Sequence, residues 1–308
     1  MKAVRIHAFG GPEVLQYEDV PRPELEPGRV LVQVHAAGIN PVDWKCRTRG
    51  MIVERPLPII LGWDISGVVE AVAPDVSKFK ASDEVYGMVG FPDLGNAYAE
   101  YLVAKPEHLA LKPKNASHIE AASLPLVALT AWQAIFDRGD VQAGQRVLVH
   151  AAAGGVGYID VQLAKWKGAY VIGTASAKNA EFVSSLGADE VINYTTTLFE
   201  DAVGEVDLVL DNVGGETLER SFAIVKRGGK LVTIAGRPDE AKAKAHGIEA
   251  FSFLVEPNAS QLEQIAALVE AGTLKPVAST IFPLEQTRQA HELSETRHLH
   301  GKIVLQVR

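Results

Sequence analysis

The stretch Val147-Leu-Val-His-Ala-Ala-Ala-Gly-Gly-Val-Gly157 constrains this chain more than any other, because a short apolar run stops at a glycine turn and a helical pattern follows at once. That arrangement suits the pyrophosphate of a dinucleotide. Gly154 lets the backbone come close to phosphates, Gly155 and Val156 continue the turn, and Gly157 lets the next helix pack against the strand. The helix's free N–H groups and positive dipole end then face the charge. Ala152 stands where the first glycine of such turns usually lies. The spacing alone also fits a plain tight strand-to-helix turn, so the surroundings must decide.

Ile159 to Trp166 continues in helical period, and Ala169-Tyr-Val-Ile-Gly-Thr174 reads as a second buried strand. Asp189 to Asn193, Val206 to Leu210 and Lys230 to Ala235 are further β-branched runs separated by helical patterns, the rhythm of an α/β doubly wound parallel sheet. Such a sheet meets its ligand at the strand ends. Val213 and Gly214 follow the fourth strand, and Ala235 and Gly236 close the fifth.

An NAD site would place Asp or Glu at the end of the second strand to take the ribose hydroxyls. This chain has Thr174-Ala-Ser-Ala-Lys178 there. A carboxylate would repel a 2′-phosphate, whereas the hydroxyl of Ser176 and the ammonium of Lys178 suit one through charge-assisted hydrogen bonds. NADP(H) is the expected cofactor; the alternative for Lys178 is a solvated lysine at a helix start.

At 308 residues the chain exceeds the size at which one core is usual. Two domains are expected, residues 1–117 with 258–308 and residues 118–257. The first has alternating strands, such as Arg29-Val-Leu-Val-Gln-Val-His35 and Gly67-Val-Val-Glu-Ala-Val72, among Pro and Gly turns, and reads as an antiparallel, partly barrel-like domain. Helical periodicity begins near Ile119 and runs through Leu129 to Phe136. Phe251-Ser-Phe-Leu-Val255 reads as a sixth sheet strand, Leu262 to Ala271 as a helix, and Gly301 to Val307 as a closing strand. A formal charge of −8 argues against a nucleic-acid partner. No window reaches the ~18 apolar residues needed to span a bilayer, and the start Met1-Lys-Ala-Val-Arg-Ile-His7 lacks a signal peptide's apolar stretch. A cytoplasmic protein without a membrane partner is expected. Cys46, the single cysteine, excludes an intrachain disulfide and a multi-thiolate zinc cage.

Several further motifs accompany the glycine turn: Gly38-Ile-Asn-Pro-Val-Asp-Trp-Lys45, Leu61-Gly-Trp-Asp64, Asn96-Ala-Tyr-Ala-Glu-Tyr101, Leu124-Pro-Leu-Val-Ala-Leu-Thr-Ala-Trp132, Asp211-Asn-Val-Gly-Gly215 and the closing Gly301-Lys-Ile-Val-Leu305. With them the chain resembles, over essentially its full length, the zinc-free quinone oxidoreductase group of the medium-chain dehydrogenase/reductase superfamily. The resemblance implies a GroES-like domain joined to a Rossmann domain, with the site in the cleft between them. Where zinc alcohol dehydrogenases of this superfamily carry metal ligands, this chain has Asn40, Trp63 and Asp64. Asn and Trp do not replace a thiolate and an imidazole, and the four-cysteine structural lobe is missing, so no metal is expected. Alcohol oxidation needs the metal as a Lewis acid. The resemblance therefore implies NADPH-dependent reduction of quinones or of the C=C bond of α,β-unsaturated carbonyls, small-molecule substrates. A second expectation, from another class, is an NADPH-binding redox sensor or scaffold with little turnover. The sixth strand, which often pairs with its twin in this superfamily, implies a homodimer.

The resemblance also assigns roles. Asn40 suits donation to the substrate oxygen or the nicotinamide ribose, and equally a turn cap before Pro41. Asp43 suits local hydrogen bonds that fix the loop more than proton transfer. Lys45 stands near a position where relatives often have tyrosine, and its ammonium suits a developing enolate, or plain solvation. Thr130 is expected toward the nicotinamide, and Tyr194 against the adenosine phosphate or in the core. Arg297 aligns with a phosphate-contacting arginine, in a segment running to Lys302 whose cations suit the cofactor phosphates. Trp63 and Phe91 are expected to wall the substrate pocket or to pack in the core.

Overall fold

The computed structural model describes residues 1–50, 56–296 and 299–308. Its strands run in chain order as β1 (Lys2–Ile6), β2 (Leu15–Asp19), β3 (Val30–Ile39), β4 (Ile59–Ile60), β5 (Asp64–Val72), β6 (Glu84–Met88), β7 (Tyr101–Ala104) and β8 (Leu109–Leu111). Next come β9 (Arg146–Val149), β10 (Tyr170–Ala175), β11 (Glu190–Asn193), β12 (Val206–Asp211), β13 (Val225–Thr233) and β14 (Glu249–Ser252), then β15 (Ala278–Pro283) and β16 (Lys302–Gln306). The chain forms two compact units, Met1–Leu129 with Glu256–Arg308, and Thr130–Val255. The division falls at Leu129 and not at residue 117, because the helix His118–Ala122 packs on β3, β5 and β16 of the first unit. Among the described residues no helix is long and apolar enough to cross a membrane.

The first unit is the GroES-like one. One sheet has the order β2–β1–β4, and a larger one runs β15–β16–β3–β5–β6–β8 with β7 also pairing β3. All pairings are antiparallel except β15 with β16. β3 is its spine: ten residues, eight of them buried, which pair with β5, β7 and β16 in turn. Two register shifts against β5 bend it, as bulges do. That bend matters because β3 ends at Ile39, directly before Asn40.

The second unit carries a parallel sheet in the order β11–β10–β9–β12–β13–β14. Numbered within the unit this is 3-2-1-4-5-6, the Rossmann order, and the direction of winding reverses between β9 and β12. Apolar β-branched runs account for it, since β9, β10 and β12 are buried almost throughout and need no alternation. The sixth strand is Glu249–Ser252 and not Phe251–Val255. Register decides: β13 ends at Thr233, whose partner is Ser252, so the apolar residues beyond have no strand to bond. Leu254 is accordingly exposed.

Ala152 keeps its methyl at the turn because the facing position on β10 is Gly173. A Cβ on Gly173 would lie 2.9 Å from Ala152 Cβ and 2.8 Å from Val183 Cγ1. We expect Gly173→Ala to lower stability in urea by about 1–3 kcal/mol through overpacking. Adding Ala152→Gly should restore part of the loss; strict additivity of the two changes would mean that the methyl contact is not the cause.

Candidate functional site

The turn after β9 is built by one close approach. The helix Gly157–Trp166 begins so near the turn that a Cβ on Gly157 would stand 2.2 Å from the carbonyl oxygen of Ala151. Ala151 itself adopts a positive φ of 51°, and the Gly154 N–H donates to its carbonyl at 2.8 Å. The Thr174 hydroxyl holds the turn from below, accepting from Ala151 N–H at 3.2 Å, while Ala152 N–H donates to the Thr174 carbonyl at 3.0 Å. Thr174 is thus a buried prop of the turn. Gly154, Gly155 and Val156 stay partly exposed at the helix's N-terminus, where the positive end of the helix dipole favours an anion.

The neighbouring strand ends complete a rim. Tyr194 follows β11, donates its N–H to Ala175 at 3.2 Å and is 56% exposed, so it is a surface tyrosine rather than a core one. Ser176 and the exposed Lys178 follow β10 on the same edge. After β12 the Asp211 carboxylate gathers the loop, accepting from Val213 N–H at 3.1 Å, Gly214 N–H at 3.0 Å and the Thr233 hydroxyl at 2.7 Å. Gly214 has φ 76°, and a Cβ there would lie 2.5 Å from the Ala235 carbonyl oxygen. The loop therefore brings Val213, Gly214 and Ala235 together, with Val213, Ala235 and Gly236 exposed. His150, at the end of β9, is buried between Thr174 and Ser221, and burial pushes its pKa down to about 4. It is neutral near pH 7. Thr130 is buried in the helix Pro125–Trp132, and Arg297 lies outside the described residues.

The first unit holds a buried polar centre. Lys302 donates its ammonium to Asn40 Oδ1 at 2.5 Å and to the Ile39 carbonyl at 2.6 Å. Asn40 Nδ2 donates to Asp64 Oδ2 at 2.9 Å, and Asp64 Oδ1 accepts from Leu126 N–H at 2.8 Å. Asn40 N–H donates to Asp43 Oδ2 at 2.7 Å, and the Tyr98 hydroxyl donates to the same oxygen at 2.5 Å. Beyond it His291 Nε2 lies 3.2 Å from the Tyr98 oxygen, and His291 Nδ1 lies 3.1 Å from Arg47 Nη1. Arginine only donates, so Nδ1 accepts and Nε2 carries the proton. The bonds thus point one way, from Arg47 through His291 and Tyr98 to Asp43.

Burial sets the electrostatics here. It pushes Asp64 up to about 6 against the pull of Lys302, and Asp43 up to about 7 against the Tyr98 hydroxyl. It pushes the Lys302 ammonium down, with the carboxyl groups of Asp64 and Asp43 holding it up. Burial also lowers His291 to about 3, helped by the Arg47 charge. A cation enclosed with two carboxyl groups is stable only as a set.

This centre corrects several expectations. Asn40 is fully buried, and its amide is spent on Lys302 and Asp64, so it positions the start of the helix Pro41–Arg49 instead of facing a substrate. Lys302 is not a surface cation for phosphates; it lies in the core. Asp43 is equally enclosed and fixes the loop, as local bonding predicts. Trp63 is fully buried, its indole N–H donating to the Asp93 carbonyl at 2.6 Å. Phe91 packs on it edge-on at 5.6 Å, so the pair forms core and not an open wall. Lys45 alone of the group is exposed, 5.8 Å from the Trp44 ring centre. Sequence reasoning gave no role to Tyr98, His291 or Arg47; only Tyr98 lay in a marked motif.

The family model described as "Alcohol dehydrogenase GroES-like domain" matches residues 26–114, and that described as "Zinc-binding dehydrogenase" matches residues 186–305. The chain is 36% identical over 316 residues to an NADPH-dependent alkenal/one oxidoreductase, chloroplastic, of Arabidopsis thaliana, covering 99% of this chain and 79% of that one. The quinone oxidoreductase from Coxiella burnetii superposes with TM-score 0.94 at 40% identity, over 100% of this chain and 99% of the other. This chain belongs to the quinone oxidoreductase group of the medium-chain dehydrogenase/reductase superfamily. Escherichia coli quinone oxidoreductase, solved in complex with NADPH, superposes with TM-score 0.90 at 28% identity over 99% of both chains.

Within this quinone oxidoreductase-group chain, Lys302 is the residue on which the buried centre turns. We expect Lys302→Met to cost about 3–5 kcal/mol of unfolding free energy in urea, because two buried carboxyl groups lose their cation. A loss below about 1 kcal/mol would show that the ammonium contributes no such compensation.

Proposed function

We propose that this chain is an NADPH-dependent, zinc-free reductase that delivers hydride to quinones or to the C=C bond of α,β-unsaturated carbonyls. The observation that carries the reading is the donor set around Asn40. Its amide oxygen is taken by the Lys302 ammonium, Trp63 offers an indole N–H already bonded to Asp93, and Asp64 already accepts from Asn40 and Leu126. Zinc is held by thiolate, imidazole and carboxylate lone pairs. This set does not fit it. Hydride arriving at an enone or quinone leaves charge delocalised onto oxygen, where ordinary hydrogen bonds and a nearby cation suffice. Lys45 is an exposed cation near the start of the helix that Asn40 and Asp43 position, and this reading gives it the charge developing on the substrate oxygen.

NADP(H) fits the second unit. Gly154, Gly155, Val156 and Gly157 would hold the pyrophosphate, Ser176 and Lys178 the 2′-phosphate, and Tyr194 the adenosine. Val213, Gly214, Ala235, Gly236 and Thr130 would bind toward the nicotinamide. When bound, NADPH supplies the hydride. The NADPH-dependent Arabidopsis relative and the NADPH-bound E. coli enzyme support this choice of cofactor. A homodimer formed along β14, the edge strand of its sheet, completes the reading.

The test is Lys178→Ala. Losing a charged hydrogen bond to the 2′-phosphate should raise the KM for NADPH about tenfold or more and leave that for NADH nearly unchanged. Equal effects on both cofactors would refute the phosphate-binding role.

A further inference from the structure

Asp160 is a buried ionisable group with no part in the chemistry above. It lies in the first turn of the helix Gly157–Trp166, within a run from Gly157 to Ala164 that is buried throughout. Its Oδ2 accepts from Asn212 Nδ2 at 2.9 Å, and the same Nδ2 donates to the His150 carbonyl at 3.0 Å. Its Oδ1 is buried without a hydrogen-bond partner. One carboxyl group thus ties the start of the helix to the exits of β9 and β12, the strands between which the sheet's winding reverses.

Among the described residues no counter-charge balances Asp160. From β9 and β10, His150 faces Thr174 and Ser221. At the exit of β12, Asp211 is spent on Val213, Gly214 and Thr233. On the packed helix Gln133–Arg138, Asp137 and Arg138 are exposed. On its own helix, Lys165 pairs with Asp189. Burial therefore pushes Asp160 up to about 7, opposed by the single bond from Asn212. The positive end of the helix is its remaining source of stabilisation as an anion. A pyrophosphate docking on that end brings further negative charge to the same helix terminus and disfavours the Asp160 anion.

We propose that Asp160 is a proton-linked positioning residue of the dinucleotide site: it takes up a proton from solvent as a pyrophosphate docks on Gly154 to Gly157, and its neutral form keeps Asn212 bonded while removing the competing charge. The assignment rests on the cofactor reading above. Neither neighbour of the turn need move, because Oδ2 accepts from Asn212 in both charge states and the proton resides on the unpartnered Oδ1.

The experiment is isothermal titration of the full-length protein with NADPH and with NADH at pH 7, in two buffers of different ionisation enthalpy. The wild type should take up about half a proton more per site than Asp160→Asn, since a group titrating near pH 7 is about half protonated before the ligand arrives. The nucleotide's own 2′-phosphate cancels in that difference and is absent from NADH. Across pH 6 to 8 the wild-type Kd should weaken about tenfold relative to the variant, the equivalent of one unit of linked shift. Asp160→Ala should match Asp160→Asn, with circular dichroism confirming that each is folded. If neither variant folds, the wild type decides alone: no proton uptake with NADH at pH 7 overturns the assignment. Equal uptake by wild type and variant overturns the assignment and leaves the cofactor reading standing. Failure of the wild type to bind either nucleotide overturns both.

Discussion

The helix at Gly157 begins where it does only because no Cβ separates it from the Ala151 carbonyl. The rest of the second unit follows from that approach. It puts the helix's N-terminus at the end of β9, beside the point where the sheet's winding reverses and on the same edge as the strand ends of β10, β11, β12 and β13. It also fixes what may stand nearby. Gly173 leaves space for the Ala152 methyl, Thr174 props the turn with both its hydroxyl and its carbonyl, and Asp211 folds the facing loop back on itself.

The first unit solves a different problem. Around Asn40 this chain encloses a lysine ammonium, an amide and two carboxyl groups linked by hydrogen bonds, with Asp43 Oδ1 left without a partner. Such a set gains little over an apolar core and loses much if one member is removed. Its consequence is geometric: β3, β5 and β16 and the helix Pro41–Arg49 are tied at a single point, with Arg47, His291 and Tyr98 extending the tie. The helix that bears the exposed Lys45 is thereby held at its first residue.

What was legible in the sequence was local. β-branched runs of strand length, a glycine turn and a following helical period define the parallel sheet without any distant contact, because its inner strands β9, β10 and β12 are buried almost throughout. The sixth strand was misplaced by three residues at its far end, since the apolar run Phe251 to Val255 looks like a strand while its hydrogen bonds are set by where β13 stops. The buried centre was illegible for the opposite reason. Lys302 reads as a surface cation, and nothing near it in sequence reveals that Asn40, 262 residues away, accepts its hydrogen bond. Trp63 and Phe91 read as pocket walls because an aromatic side chain carries no mark of which face it fills. Asp160 did leave a signal, a lone carboxylate inside the apolar run from Tyr158 to Ala164.

The proposed chemistry is hydride transfer without a metal, because Asn40 and Asp64 are bonded to each other and the Trp63 indole to Asp93. The most direct measurement is NADPH oxidation with a naphthoquinone and with a small alkenal, before and after exhaustive chelation, with bound metal quantified in the same samples. Equal turnover in both, with far less than one zinc per chain, is the expected result. Turnover that chelation abolishes and zinc restores would contradict it.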